Sequence, residues 1–91
     1  EEWYDRCNNM IVETLNETIK VRADFQGGVI TPLAFKRRSH TLHVERINAR
    51  WEDRETRFKR WFFSVRAEGS VYEIHLDSAD MTWHLDRVCV E

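Results

Sequence analysis

From Trp61 to Val88, apolar and polar residues alternate in three consecutive runs. Trp61, Phe63, Val65 and Ala67 share one phase, with Phe62, Ser64 and Arg66 between them. After Glu68-Gly69, the residues Tyr72, Ile74 and Leu76 alternate with Val71, Glu73 and His75. After Asp77-Ser78-Ala79-Asp80, Met81, Trp83 and Leu85 continue the pattern. A period of two in aromatic and β-branched residues predicts strands with one buried face. Turn residues at both junctions make these strands two successive hairpins. With a two-residue turn at Glu68-Gly69, Val65 faces Tyr72, Phe63 faces Ile74 and Trp61 faces Leu76. With Ser78-Ala79 as the next turn, Leu76 faces Met81, Ile74 faces Trp83 and Tyr72 faces Leu85. On the other face Phe62 then meets His75, Glu73 meets His84 and Arg60 meets Asp77. A slip of one residue would set apolar against polar throughout, so phase fixes register.

Upstream the pattern is less regular. Ile19, Val21, Ala23 and Phe25 predict a first strand over 17–25, broken by Gly27-Gly28. Pro32 opens a second strand to Arg37, at a place where a missing N–H is tolerated. A third runs from His40 to Trp51. In it Leu42 and Val44 set one phase, while Ile47, Ala49 and Trp51 set the other, so a β-bulge is predicted near Glu45-Arg46. The run Glu52 to Arg57 is charged and shows no register. Trp3, Cys7, Met10, Ile11 and Leu15 recur at helical spacing behind the acids Glu1, Glu2 and Asp5, which predicts a short N-terminal helical segment. Met10 also fits an original start residue, with residues 1–9 an extension. The organisation predicted is an N-terminal helical segment or extension over 1–16 and a single antiparallel β domain over 17–91. The fold class is all-β, a curled antiparallel meander of five to six strands or a partly open barrel. Trp51, Trp61, Phe63, Tyr72, Ile74, Trp83 and Leu85 are its expected core.

Ninety-one residues suffice for one modest core. No apolar run is long enough to span a membrane, and no signal-peptide pattern opens the chain, so the cytoplasm is the expected compartment. Cys7 and Cys89 are then expected as reduced thiols; a bridge between them would close nearly the whole chain and add about 4 kcal/mol. Asn16-Glu17-Thr18 fits a glycosylation acceptor, a match without meaning in that compartment.

The net charge of −2 hides a segregation. Residues 1–35 carry three basic and six acidic groups, residues 36–66 ten and four, and residues 67–91 one and six. A basic block between two acidic ones fits an anionic partner, and equally fits basic and acidic strands pairing with each other.

Pro32, Phe35, Arg38, Val44, Arg50-Trp51, Phe62-Phe63, Val65, Ala67, Val71-Tyr72-Glu73-Ile74, Trp83, Leu85 and Arg87-Val88 together form a strand pattern over about residues 17–88. It resembles a family of small, functionally uncharacterised bacterial β domains. Arg37 stands where that family has tryptophan, Ser39 where it has a turn glycine, and Leu42 where it has tyrosine. Members are encoded, in some genomes, beside error-prone DNA polymerase genes. The resemblance therefore implies single-stranded nucleic acid or a repair-complex protein as partner, by association alone. It supplies no catalytic residue.

The candidate chemistry lies on the outward face. Arg46, Arg50, Arg60 and Arg66 around Phe62 offer cations for phosphates and a ring for a base, the arrangement of a single-strand binder. Lys36, Arg37 and Arg38 form a second cluster at a hairpin tip. The competing reading has Phe62 packed and the arginines paired with Glu73 and Asp77. Glu73, His75 and His84 are a remote metal set with an open position. Neither cysteine has a nucleophile's context, no serine sits in a glycine-flanked elbow, and Gly27-Gly28 is no phosphate loop. The reading is a non-catalytic binding module without a cofactor. Its partner is nucleic acid on the basic aromatic face, or a protein or second copy at a sheet edge or face.

Overall fold

The structure, a computed structural model, describes residues 11–55 and 57–90. Every regular element in that range is a strand. They are β1 (Ile11–Gln26), β2 (Val29–Arg37), β3 (His40–His43), β4 (Arg46–Glu55), β5 (Phe58–Ala67), β6 (Ser70–Asp77) and β7 (Thr82–Val90). All pair antiparallel in one sheet of order β3-β2-β1-β7-β6-β5-β4. The fold is thus all-β and antiparallel, with seven strands where five to six were expected. Residues 11–16 belong to β1 and not to a helix, and the rest of the expected helical segment lies outside the described residues. No helix among the described residues is long and apolar enough to cross a membrane.

Turn chemistry sets the hairpins. Arg38 and Ser39, Glu68 and Gly69, and Gly27 and Gly28 all have positive φ, as two-residue turns between right-twisted strands require. Only glycine adopts such angles without a Cβ penalty, and Gly69 sits at the second turn position with φ 80°. The β5–β6 register follows, with Val65 opposite Tyr72, Phe63 opposite Ile74, Trp61 opposite Leu76 and Phe62 opposite His75.

The β6–β7 register differs from expectation by two residues. Leu76 faces Trp83 and Ile74 faces Leu85, because the turn spans Ser78 to Met81 and not Ser78-Ala79 alone. Asp77 holds it: its carbonyl accepts from the Met81 N–H at 2.8 Å, and its Oδ1 accepts from the Ala79 N–H at 2.9 Å. A shift of two preserves the face of each side chain as far as Leu85. It leaves Met81, at 60% exposure, in the turn and out of the core.

The sheet curls onto itself. Phe35 on β2 and Tyr72 on β6 meet edge to face at 5.1 Å although two strands separate them. Ile19, Phe35, Leu42, Phe63, Val65, Ala67, Tyr72, Ile74, Leu85 and Val88 form the core, with Trp61 and Trp83 packed against it. Trp51 is the exception among the expected core residues. Its phase was read without a shift in the β4–β5 pairing between Ile47 and Ala49, which turns Trp51 to the outer face opposite Phe62. Cys89, on that outer face, is fully buried and disulfide-bonded, so the reduced thiol expected there is corrected; Cys7 lies outside the described residues.

The strand read as one from His40 to Trp51 is broken at Val44-Glu45, which carries the chain from one end of the sheet to the other. There the Val44 N–H donates to the Leu33 carbonyl at 2.9 Å, and the Glu45 N–H to the Arg66 carbonyl at 2.8 Å. The half-barrel is stitched at this corner. The run Glu52 to Glu55, expected to lack a register, continues β4 and pairs with β5.

Candidate binding sites

Three places on the half-barrel gather functional groups.

The first is a seam. Away from the Val44-Glu45 corner, β4 and the first half of β2 approach without backbone pairing. β3 covers β2 only from Ala34 to Arg37. Between the two edges lies a cleft of about 240 Å³, lined by Gly28, Val29, Ile30, Arg50, Trp51, Glu52, Trp61, Phe62 and Phe63. Arg50 spans it and donates from Nη1 to the Ile30 carbonyl at 2.6 Å. Its guanidinium also lies over the Phe63 ring at 5.9 Å. Arg50 pairs in register with the inward Phe63, so it does not join the outer basic face where the sequence placed it.

The second is a row of rings on the outer face. Trp51 stacks on Phe62 (centroids 5.5 Å apart), Phe62 contacts His75 (4.8 Å), and His75 stacks on His84 (4.7 Å). The row crosses β4, β5, β6 and β7 because these residues share one register line. Phe62 is flanked by a ring on either side, and Arg60 lies 5.3 Å from its centroid. Phe62 itself is half-buried. Arg60 forms a two-point pair with Asp53 at 2.9 Å in each arm. Arg46 donates to Asn48 at 3.1 Å, and Arg66 stands opposite it, half-buried.

Beside the rings is a polar cleft of about 330 Å³ lined by Thr14, Asn16, Arg60, Phe62, Glu73, His75, Asp86 and Arg87. Two bulges build it. One lies between Thr14 and Glu17, where Asn16 has φ 56°; the other leaves Asp86 unpaired between Leu85 and Arg87. The second bulge puts Asp86 and Arg87 on one face, as bulges re-aim side chains. His75 Nδ1 then meets Asp86 Oδ2 at 2.7 Å, and Arg87 Nε lies 3.0 Å from Glu73 Oε1. The predicted Glu73–His84 pairing is replaced by these two. Burial raises the Glu73 carboxyl above the usual range, Arg87 and His75 oppose the rise, and Asp86 adds to it. Ser64 Oγ, on the residue facing Glu73 across β5 and β6, is buried without a hydrogen bond, whereas the buried Glu73 Oε1 has the Arg87 ion pair beside it. The metal set Glu73, His75 and His84 is not gathered: among the described residues no three His, Cys, Asp or Glu side chains are placed to hold a metal ion. The sequence signal for the second bulge is the spacing of three between the buried Leu85 and Val88, with two charged residues between them.

The third is a cationic cleft on the outer face of β1–β3. The tip cluster Lys36, Arg37 and Arg38 is split by strand alternation. Arg37 and Arg38 turn to Glu17, at 3.6 and 3.7 Å. Lys36 faces outward opposite Lys20, and Arg22 lies one step along the same face. With Thr41 and a floor at Ala34 they line about 230 Å³ of open cleft. Lys20 and Arg22 lie in the acidic first block of the chain, so charge along the sequence does not single them out.

Comparison of the chain with protein-family models, with curated proteins and with solved structures finds no match.

Proposed function

We propose that this domain is a small non-catalytic binding module that takes an extended segment of a partner protein into the seam, as an added strand between β4 and β2. The supporting observation is the Arg50–Ile30 bond. A guanidinium reaching a backbone carbonyl across the gap occupies the place of a strand's donor. A strand inserted between two others needs roughly 10 Å, twice the usual spacing, and a long extended side chain spans about that width. An added strand would bring the sheet from seven strands to eight, the number whose interior side chains just fill a barrel.

Main-chain bonds to both edges would supply affinity, and alternate side chains would supply specificity. Trp61 faces the interior and Trp51 the outer face, so the cleft offers an aromatic wall on either side of the incoming strand. Pro32 lies on β2 near this edge, where a missing N–H limits pairing by chance neighbours.

Selection of random peptides of strand length, about six to eight residues, on the immobilised domain tests the reading. Selected peptides should alternate apolar and polar residues. Their binding should slow amide exchange on both β4 and residues 29–33. Peptides that protect neither edge, or no selection at all, would refute it. Self-association that protects the same amides would instead identify a second copy as the occupant.

A further inference from the structure

We propose that the cleft of Lys20, Arg22, Lys36 and Thr41 binds the phosphodiester backbone of a single-stranded nucleic acid. The proposal is independent of the seam and uses a different face of the sheet.

Charge placement carries the argument. Lys20 and Lys36 are direct cross-strand partners, a juxtaposition of like charges that costs stability. Both are exposed, as is Arg22. Five other cations are answered by carboxylates: Arg60 by Asp53, Lys59 by Glu52, Arg87 by Glu73, and Arg37 and Arg38 by Glu17, while Arg46 and Arg50 donate to Asn48 and to the Ile30 carbonyl. Among the described residues no carboxylate lies within ion-pair distance of Lys20, Arg22 or Lys36. Asp24, further along the same face of β1, is opposite Thr31 and is the acid that bounds the patch. Unanswered cations held side by side attract an anion with more than one charge.

Shape and spacing select the anion. Ala34, 5% exposed, leaves a hollow where a longer side chain would fill the face. Lys20 and Arg22 stand two residues apart on one strand, about 7 Å, close to the separation of successive phosphates in a stretched single strand. Lys36 faces the first of them, and the Thr41 hydroxyl adds a donor beyond it. A shallow hollow flanked by cations admits a phosphate chain lying along the strand. His43, in register with Ala34, continues the row toward β3.

The probe is a fluorescein-labelled oligothymidylate of about twelve nucleotides, followed by anisotropy at low salt. Three phosphate contacts predict a log–log salt slope of about −2. The double variant Lys20→Ala/Lys36→Ala should weaken binding at least about tenfold and reduce the slope to about −0.7, the value for the single remaining cation. Arg46→Ala, an exposed cation on β4, should leave affinity within about twofold. Absence of binding at low salt overturns the proposal. So does an equal loss in the Arg46 variant, which would mark diffuse attraction. Binding to phosphatidylserine vesicles without binding to the oligonucleotide would also overturn it. All three substitutions are on exposed strand positions, and an unchanged urea midpoint verifies folding in each variant.

Discussion

Arg50 Nη1 and the Ile30 carbonyl oxygen, 2.6 Å apart, are joined across two strands that share no ladder. A side chain there substitutes for a row of backbone bonds. Arg50→Ala should cost about 1 kcal/mol, the scale of a single hydrogen bond at an exposed site. The loss should appear in urea denaturation, and amides of residues 29–33 should exchange faster while those of β6 do not change. Uniform loss of protection across the sheet would show that the bond supports the whole barrel and not the seam.

Ser64 makes the opposite case. Its hydroxyl is fully buried without a hydrogen-bond partner. Removing an unsatisfied polar group relieves its desolvation cost. Ser64→Ala should be neutral or stabilising by up to about 1 kcal/mol. A destabilisation of more than about 1 kcal/mol in thermal or urea melts would reveal a hydrogen bond of the hydroxyl in solution.

Glu73 should make stability depend on pH. Its folded carboxyl titrates above its unfolded one because burial disfavours the charge. The folded state therefore holds the proton at pH values where the unfolded state has lost it. Stability contributed by this group is greatest in acid and falls as pH rises from the ordinary carboxyl range through the raised folded value. Glu73→Gln has no such proton to lose. As pH rises from the ordinary carboxyl range through the raised folded value, the wild type should lose stability relative to the variant. Parallel pH profiles for the two proteins would contradict this assignment.

The β6–β7 register is testable at Met81 and Ile74. Met81 lies in the turn, so Met81→Ser should change stability by less than about 0.5 kcal/mol. Ile74, fully buried, should cost about 2–5 kcal/mol when cut to alanine. A two-residue turn at Ser78-Ala79 would instead bury Met81 against Leu76 and make both changes costly.

Side-chain phase made the second half of the chain legible. Trp61 to Leu76 alternates without interruption, and a two-residue turn at Glu68-Gly69 admits one register. Irregularity hid the rest. Trp51 and Arg50 exchanged faces because the pairing shift lies between Ile47 and Ala49, a few residues beyond the mismatch that signalled it. The His75–Asp86 pair depends on a bulge at Asp86 that alternation alone does not predict. The Lys20–Lys36 pairing is a relation between strands on either side of a glycine turn. Along the chain the two residues fall in different charge blocks.

The Val44-Glu45 corner acts as the pivot of a clasp. It ties the two ends of the sheet covalently and by hydrogen bonds, while Arg50 is the latch at the free end. If the seam takes an added strand as proposed, releasing that latch would open it without breaking a rung between neighbouring strands. Guests of different thickness would then change only the angle of opening, and stiffening the chain at residues 44–45 would narrow the range of guests.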